Sequence, residues 1–282
     1  MLTYPDIDPV ALSIGPITLA DKVIGPLQVH WYGVMYLFAF ISAGLIAWHR
    51  SKRDHSLIKS SQVEDMVVYG ALGVILGGRF GYVFFYQFER WLEDPLWLLR
   101  VWEGGMSFHG GLLGVIFAMW LYARKLNVPF LGLMDFVAPM VPLGIGFGRL
   151  GNFIGQELWG RATDLPWGMV FPKDPEQLTR HPSQLYQAFL EGAVLYAVVY
   201  WFSAKPRPRG SIGGLFMVVY GCCRIAVEFV RQPDSHLQND LLFGWMTRGQ
   251  QLSLPMIAFG LGLMIWSYRA QGSAASKSET TR

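Results

Sequence analysis

Gly148-Arg149-Leu150-Gly151-Asn152-Phe153-Ile154-Gly155-Gln156-Glu157-Leu158-Trp159-Gly160-Arg161 sets charge against a stretch that reads as a membrane helix. The run before it, 136–147, is apolar, with two prolines and two glycines, and Arg149, Asn152 and Glu157 arrive at its end. An arginine at the centre of a membrane helix costs roughly 2.5–3.5 kcal/mol on insertion scales. Residues carrying such a cost face a protein interior or a wet cavity, so the stretch reads as a site at the end of a span.

The rest of the chain supports a membrane setting. Of 282 residues, 52% are hydrophobic and 15% charged, with 11 Trp and a mean hydropathy of +0.30; soluble proteins carry about 25% charged residues. Seven apolar stretches, 30–48, 64–86, 108–123, 131–151, 184–202, 212–230 and 251–268, approach the length of about 20 residues that crosses a bilayer. The expected fold is an all-α polytopic membrane protein with seven transmembrane helices. Residues 1–29 form an N-terminal outer or interfacial segment and 30–268 the seven-helix transmembrane domain, with 153–182 as a small outer cap between helices 4 and 5. Residues 269–282 form a small, polar and disordered cytoplasmic tail. The segment 1–29 has no basic leader, holds four prolines and carries Asp6, Asp8 and Asp21, so it does not read as a cleaved signal peptide. The net charge of +3 is spread over loops rather than gathered in a patch, which gives no support to nucleic-acid binding. Cys222 and Cys223 are adjacent within the sixth span, where side chains point about 100° apart; they read as packing residues rather than as a disulfide or a metal site.

Charge sets the orientation. With the N-terminus outside, the inner segments hold 12 Lys/Arg (Arg50, Lys52, Arg53, Lys59, Arg124, Lys125, Lys205, Arg207, Arg209, Arg269, Lys277, Arg282), and the longer outer segments hold 8. The positive-inside rule therefore places the N-terminus outside and the C-terminus in the cytoplasm. Trp91, Trp97, Trp102, Trp159 and Trp167 fall in outer segments, as an interfacial aromatic belt requires. Residues 84–103 mix aromatics with charges and are expected along the outer membrane surface.

Placed by depth, polar residues from five spans meet in the outer half. Arg79 lies about 10 Å below Tyr86 at 1.5 Å per residue. Arg149 and Asn152 share a helix face at i,i+3, and Tyr220, Arg224 and Glu228 form one stripe at i,i+4,i+8. Span 3 opens with His109-Gly110-Gly111 and span 1 with Trp31-Tyr32-Gly33. Each residue has a plainer reading: architectural hydrogen bonding for Arg79, an ion pair in cis for Arg224 and Glu228, a helix cap for His109, an interfacial anchor for Tyr32. Glu191 and Asp135 read as packing or helix-contact residues. Several guanidiniums at one depth nonetheless point to an anion, because Arg is permanently charged and offers paired donors to phosphate oxygens. A phospholipid phosphate is the anion most available there. Glycines at 78, 81, 110, 111, 148, 151 and 155 allow close approach of helices and substrate.

These residues carry a resemblance. The quoted block, Trp31-Tyr32-Gly33, GGRFGYVFFY (77–86), GGMSFHGGLLG (104–114), HPSQLYQ (181–187) and VYGCCRIAVEFVRQPD (219–234) resemble bacterial prolipoprotein diacylglyceryl transferases, in the family's order, from about residue 8 to 268. The resemblance implies an enzyme of the bacterial cytoplasmic (inner) membrane. It would move the diacylglyceryl group of phosphatidylglycerol onto the lipobox cysteine of a preprolipoprotein signal peptide, releasing glycerol 1-phosphate. It further implies Arg149 as the phosphatidylglycerol-binding arginine, Arg224 as the second phosphate ligand and His109 as a candidate base for the thiol. Asn152, Glu157 and Gly160 match signature positions that shape the site, and Tyr32, Tyr220 and Glu228 further functional positions; Arg79 is taken as a third substrate-binding arginine. The family signature commonly reads Asn-Phe-Ile-Asn-Gly-Glu, and here Gly155 and Gln156 replace its Asn-Gly. No metal or organic cofactor is implied.

Three rivals are weaker. A phospholipid transporter or scramblase with an outer-leaflet phosphate site would carry polar groups through both halves of the membrane, and the inner half here is almost free of charge. An intramembrane protease would need a serine nucleophile setting or paired aspartates; Ser107 near His109 is a poor match and no Asp pair exists. A purely structural protein leaves the cost of the buried arginines unexplained.

Overall fold

Hydrophobic runs interrupted by polar turns fold here into ten α-helices among the described residues, with short strands outside them. The computed structural model describes residues 2–19, 22–232, 243 and 246–279. Six helical runs are long and apolar enough to cross a bilayer: Trp31–Ser51, Ser60–Tyr86, Phe130–Gly155, Ser183–Phe202, Ser211–Glu228 and Arg248–Ser273. The chain is a mostly helical, multi-pass membrane protein. The third expected span is also a helix, Phe108–Leu126, but it is not among those six. His109, Gly110 and Gly111 at its start and Arg124 and Lys125 at its end lower its hydropathy.

By its contacts the chain divides into two compact units, Met1–Ala43 with Ala138–Arg282, and Gly44–Val137. The second unit pairs α2 (Val63–Tyr86) with α4 (Phe108–Leu126). Gly73, Gly77 and Gly81 on α2 meet Gly110 and Gly114 on α4 so closely that a Cβ at any of them would strike the facing backbone. The same unit ends in α5 (Phe130–Val137).

In the first unit, α6 (Val141–Gly155) is followed by the irregular segment 156–182. Then come α7 (Ser183–Gln187), a π-helical turn over Ala188–Val194, and α8 (Leu195–Phe202). The unit closes with α9 (Ser211–Glu228) and α10 (Arg248–Glu279). Backbones approach where side chains are absent: a Cβ on Gly192 would lie 2.9 Å from Gly146 Cα, and one on Gly214 would lie 2.8 Å from the Gly260 carbonyl.

Two features differ from the expected fold. The N-terminal segment forms short strands: β1 (Leu2–Thr3), β2 (Val10–Ile14), β3 (Ile17–Leu19), β4 (Lys22–Ile24) and β5 (Leu27–His30). β2 pairs antiparallel with β5, and β3 with β4. β1 instead adds to the cap, parallel to β6 (Met169–Val170), which pairs antiparallel with β7 (Thr179–Arg180). The tail also differs. Its described part continues α10 to Glu279 rather than ending near 269, consistent with the good helix formers Ala270, Ala274, Ala275 and Lys277; residues 280–282 lie outside the described residues, as do Asp21 and the last two residues of the 219–234 block.

Candidate active site

Arg149 stands on α6, and its Nε lies 3.6 Å from Glu191 Oε2. Glu191 sits in the π-helical turn and is fully buried. Its other oxygen, Oε1, lies 3.8 Å from Nη1 of Arg224 on α9. Arg224 Nη2 in turn lies 2.9 Å from Glu228 Oε2, and Glu228 Oε1 lies 3.6 Å from Arg231 Nη1. A chain of alternating charge thus joins three elements of one unit. The Arg224–Glu228 pair in cis is present, yet it does not exhaust Arg224, which also addresses Glu191. π-helical turns interrupt the i→i−4 ladder and recur at functional sites; here one carries the carboxylate that both arginines approach.

Packing holds this chain in place. Glu228 lies against α10 at Gly249, where a Cβ would come within 2.8 Å of its carboxylate oxygens. Tyr220 lies one turn before Arg224 on α9, its ring stacked on Phe216 at 5.9 Å. Tyr32 at the start of α1 (Trp31–Ser51) lies over α6 at Gly151, where a Cβ would stand 2.9 Å from its ring. Asn152 is buried one turn after Arg149.

The segment after α6 explains the rest of the signature. Gln156 and Leu158 adopt φ of 56° and 58°, so the chain leaves the helix through left-handed residues. The Glu157 amide donates to the Asn152 carbonyl at 2.9 Å, and its own carbonyl accepts from Gln184 Nε2 at 2.7 Å, while its side chain is exposed. Gly160 donates to the His181 carbonyl at 2.9 Å and bridges to Arg231. A Cβ there would meet His181 Cβ and the Val230 carbonyl at 2.6 Å.

The cap has its own small core of Tyr4, Phe153, Met169 and Phe171, against which Trp159 packs. The Tyr4 hydroxyl donates to the carbonyls of Phe153 and Ile154, each at 3.1 Å, so the N-terminal strand is tied to the end of α6. Arg180 grips Asp174 through Nε at 2.6 Å and Nη2 at 3.1 Å, and also pairs with Glu176. Burial pushes the Asp174 carboxyl up, but the Arg180 bonds and the Glu176 and Leu178 amides outweigh it and hold the group below the usual carboxylate range. Burial pushes the His181 imidazole below its ordinary value.

Arg79 and His109 belong to the other unit. Arg79 is 2% exposed. Its Nε donates to the Leu98 carbonyl at 3.0 Å, its Nη2 to Trp97 at 2.5 Å and its Nη1 to Gly104 and Gly105, while the Trp97 ring lies 4.4 Å from the guanidinium carbon. Its donors go to the backbone of the aromatic segment 97–105. His109 lies in the first turn of α4 with an exposed ring, edge-on to Phe108 at 5.6 Å.

In the sequence Glu191 reads as a packing residue, and nothing there gives Arg231 a part. A signal for Glu191 existed: Gln184, Gln187 and Glu191 lie at i,i+3,i+7, all fully buried, a polar stripe along an otherwise apolar span. Cys222 and Cys223 are free thiols.

Residues 19–266 match the family described as prolipoprotein diacylglyceryl transferase. The chain is 63% identical over 269 residues to the phosphatidylglycerol--prolipoprotein diacylglyceryl transferase of Teredinibacter turnerae, covering 95% of this chain and 93% of that protein. It is 54% identical over 265 residues to the protein of the same description from a Marinomonas species, covering 94% of each. The one from Acinetobacter baumannii is 53% identical over 272 residues, covering 95% of this chain and 96% of its own.

Proposed function

The chain belongs to the prolipoprotein diacylglyceryl transferase family, and from that premise and the geometry of the charged chain we propose that it transfers the diacylglyceryl group of phosphatidylglycerol to the lipobox cysteine of prolipoproteins. The observation that carries this reading is the convergence of Arg149 and Arg224 on one buried carboxylate at 3.6 and 3.8 Å. Charge-assisted bonds run about 2.7–2.9 Å, so Glu191 compensates the guanidiniums at a longer distance and leaves them donors for a phosphate.

In the reaction the thiolate attacks the lipid glycerol carbon that bears the phosphate ester. A C–S bond forms and the C–O bond breaks, the electron pair leaving with the phosphate as glycerol 1-phosphate. The thiol proton must go to a base or to water. A free thiol with a pKa of about 8.5 is mostly protonated at neutral pH, and His109 is the candidate acceptor. Arg149 and Arg224 bind the phosphate and stabilise the charge that develops on it. Glu228 orients Arg224; Tyr32 and Tyr220 line the arginines' surroundings; Asn152, Glu157 and Gly160 set the path of the chain out of α6. Arg79 acts by anchoring the 97–105 segment rather than by holding the lipid.

We place seven spans in the membrane, counting α4, with the N-terminus outside and the C-terminus in the cytoplasm. The enzyme then lies in the bacterial cytoplasmic (inner) membrane, its site in the outer-leaflet half and the segment 156–182 as an outer cap. The Lys/Arg asymmetry and the outer Trp residues support this orientation.

The test uses detergent-purified protein, phosphatidylglycerol labelled in its headgroup glycerol and a peptide with one lipobox cysteine. Glycerol phosphate release and peptide lipidation should rise together, and Arg149→Ala should abolish both with the fold intact. Lipid binding without release would overturn the transferase reading; release undiminished in Arg149→Ala would overturn the phosphate site.

A further inference from the structure

Resting on that reading, we propose that Ser183 and Gln184 are positioning residues of the transferase: together they hold Leu158 in a left-handed turn that presents the Glu157 carboxylate to Arg149 and Tyr32. The block HPSQLYQ (181–187) contributes neither arginine nor glutamate to the charged chain, yet its Ser183 and Gln184 are fully buried. Both reach the signature loop. Ser183 Oγ donates to the Leu158 carbonyl at 3.0 Å, and Gln184 Nε2 donates to the Glu157 carbonyl at 2.7 Å. Those carbonyls belong to the two planar peptide units that flank the Leu158 Cα, and holding both planes fixes both dihedrals of the residue between them. Leu158 needs this, because its φ of 58° brings Cβ against the following carbonyl oxygen, and leucine lacks the short polar side chain that eases Asn and Asp into this region. Residues so held persist only where their surroundings over-determine them, and they cluster at active sites. The clamp has its own cost: Gln184 Oε1 is buried without a hydrogen-bond partner, which is unfavourable and which an apolar side chain would avoid. What Gln184 supplies that such a side chain would not is the donor to Glu157.

The residue placed by this turn is Glu157. Its amide donates to the Asn152 carbonyl at 2.9 Å while its carbonyl is taken by Gln184, so its main chain is held on both sides. Gln156, the other left-handed residue, is steadied as its Oε1 accepts from the Lys173 amide at 3.0 Å. The Glu157 side chain turns back along α6, where a Cβ on Gly155 would lie 3.6 Å from its Cδ. Its charge and that of Arg149 both act on the Tyr32 hydroxyl. The carboxylate therefore stands beside the phosphate site on a turn that would relax toward ordinary φ if released. Misplacement by about 1 Å costs on the order of 100-fold in rate, so the clamp matters to turnover without touching substrate.

The experiment compares four proteins in the detergent assay above: the native chain, Ser183→Ala, Leu158→Gly and the two substitutions together. Glycine adopts positive φ without strain, so at 158 it removes the need for the clamp while adding no packing. Ser183→Ala should lower kcat about tenfold or more. Leu158→Gly should stay within about threefold of native, and the pair should regain most of the loss, a coupling that a double-mutant cycle reads directly. A serine needed only for packing would leave the pair as impaired as Ser183→Ala alone. That result, or native turnover in Ser183→Ala, overturns the inference while the transferase reading stands. A native chain without turnover would defeat that reading instead, and exchange of the Glu157 amide then decides on the clamp. Exchange should quicken in Ser183→Ala and slow again in the pair; exchange that Ser183→Ala leaves unchanged overturns the inference. Should Ser183→Ala not fold, Gln184→Met removes the other bond and is judged by the same rescue with Leu158→Gly, regained folding counting as rescue and its absence overturning the clamp.

Discussion

Gly148 and Gly160 stand twelve residues apart in one motif, and alanine at the two should act in opposite directions. A Cβ on Gly160 would lie 2.6 Å from His181 Cβ and from the Val230 carbonyl oxygen, and 2.7 Å from the His181 carbonyl oxygen, whereas ordinary contact begins at 3.4 Å. The surroundings must therefore open by about 0.8 Å, and no flexible side-chain tip is available to give way. What moves is backbone that pairs here: Gly160 with His181, and Arg161 with Val230 at 2.8 Å. Overpacking of this kind costs about 1–3 kcal/mol. The displaced strand carries Arg231, the last cation of the charged chain. Misplacement by about 1 Å costs on the order of 100-fold in rate, so turnover of Gly160→Ala should fall between about 10- and 100-fold. Nothing lies within 4 Å of a Cβ on Gly148, inside α6, and alanine there should stabilise by about 0.5–1 kcal/mol. Thermal unfolding in detergent and the coupled transfer assay read both. Gly160→Ala with native stability and native turnover would refute the steric account of this glycine.

Three further outcomes follow from other contacts. Arg79→Lys keeps the charge but cannot serve the Trp97, Leu98, Gly104 and Gly105 carbonyls together; amide exchange in 95–106 should quicken, and an unchanged exchange pattern would remove its anchoring role. Asp174, with its pKa depressed in the folded chain, stabilises the cap above its unfolded pKa of about 3.9, and this is lost as pH falls through the lower folded value. Protease cleavage within 163–180 should rise over that acid window, and Asp174→Asn should be cut readily already at pH 7. Tyr4→Phe deletes the hydroxyl that meets two carbonyls at the end of α6 and should cost about 0.5–1.5 kcal/mol in unfolding free energy, with no loss if the N-terminal strand is not held there.

What was legible in the sequence divides along physical lines. Long apolar runs were, because a span needs about 20 such residues whatever it packs against. Phe108–Leu126 forms its helix even so with His109, three glycines, Arg124 and Lys125 in it, since its glycines let α2 approach. The short strands of the N-terminal segment were not legible: two to five residues give no period to read, and β1 finds its partner β6 more than 160 residues away. Arg149 and Arg224 announced themselves by the cost of their charge. Arg79 carries the same cost and reads the same way, but its partners are backbone carbonyls of an irregular segment, which any residue could supply and no motif marks.

Glu191 shows where helical arithmetic stops. Spacing rules carry a side chain from one helix face to its neighbours at i±3 and i±4, and they place Arg224 beside Glu228 correctly. They assume 3.6 residues per turn throughout. Ala188–Val194 is wound as a π-helix, so a face projected across it from α7 into α8 drifts, and the stripe of Gln184, Gln187 and Glu191 has no continuation in α8. The acid at the end of so short a stripe then looks like a local contact. The cost argument applied to Arg149 applies equally to this carboxylate: a charge so expensive to bury must have partners, and two arginines from other spans, Arg149 and Arg224, lie at the same depth. Charge balance between spans, rather than spacing within one, is the reading that finds it.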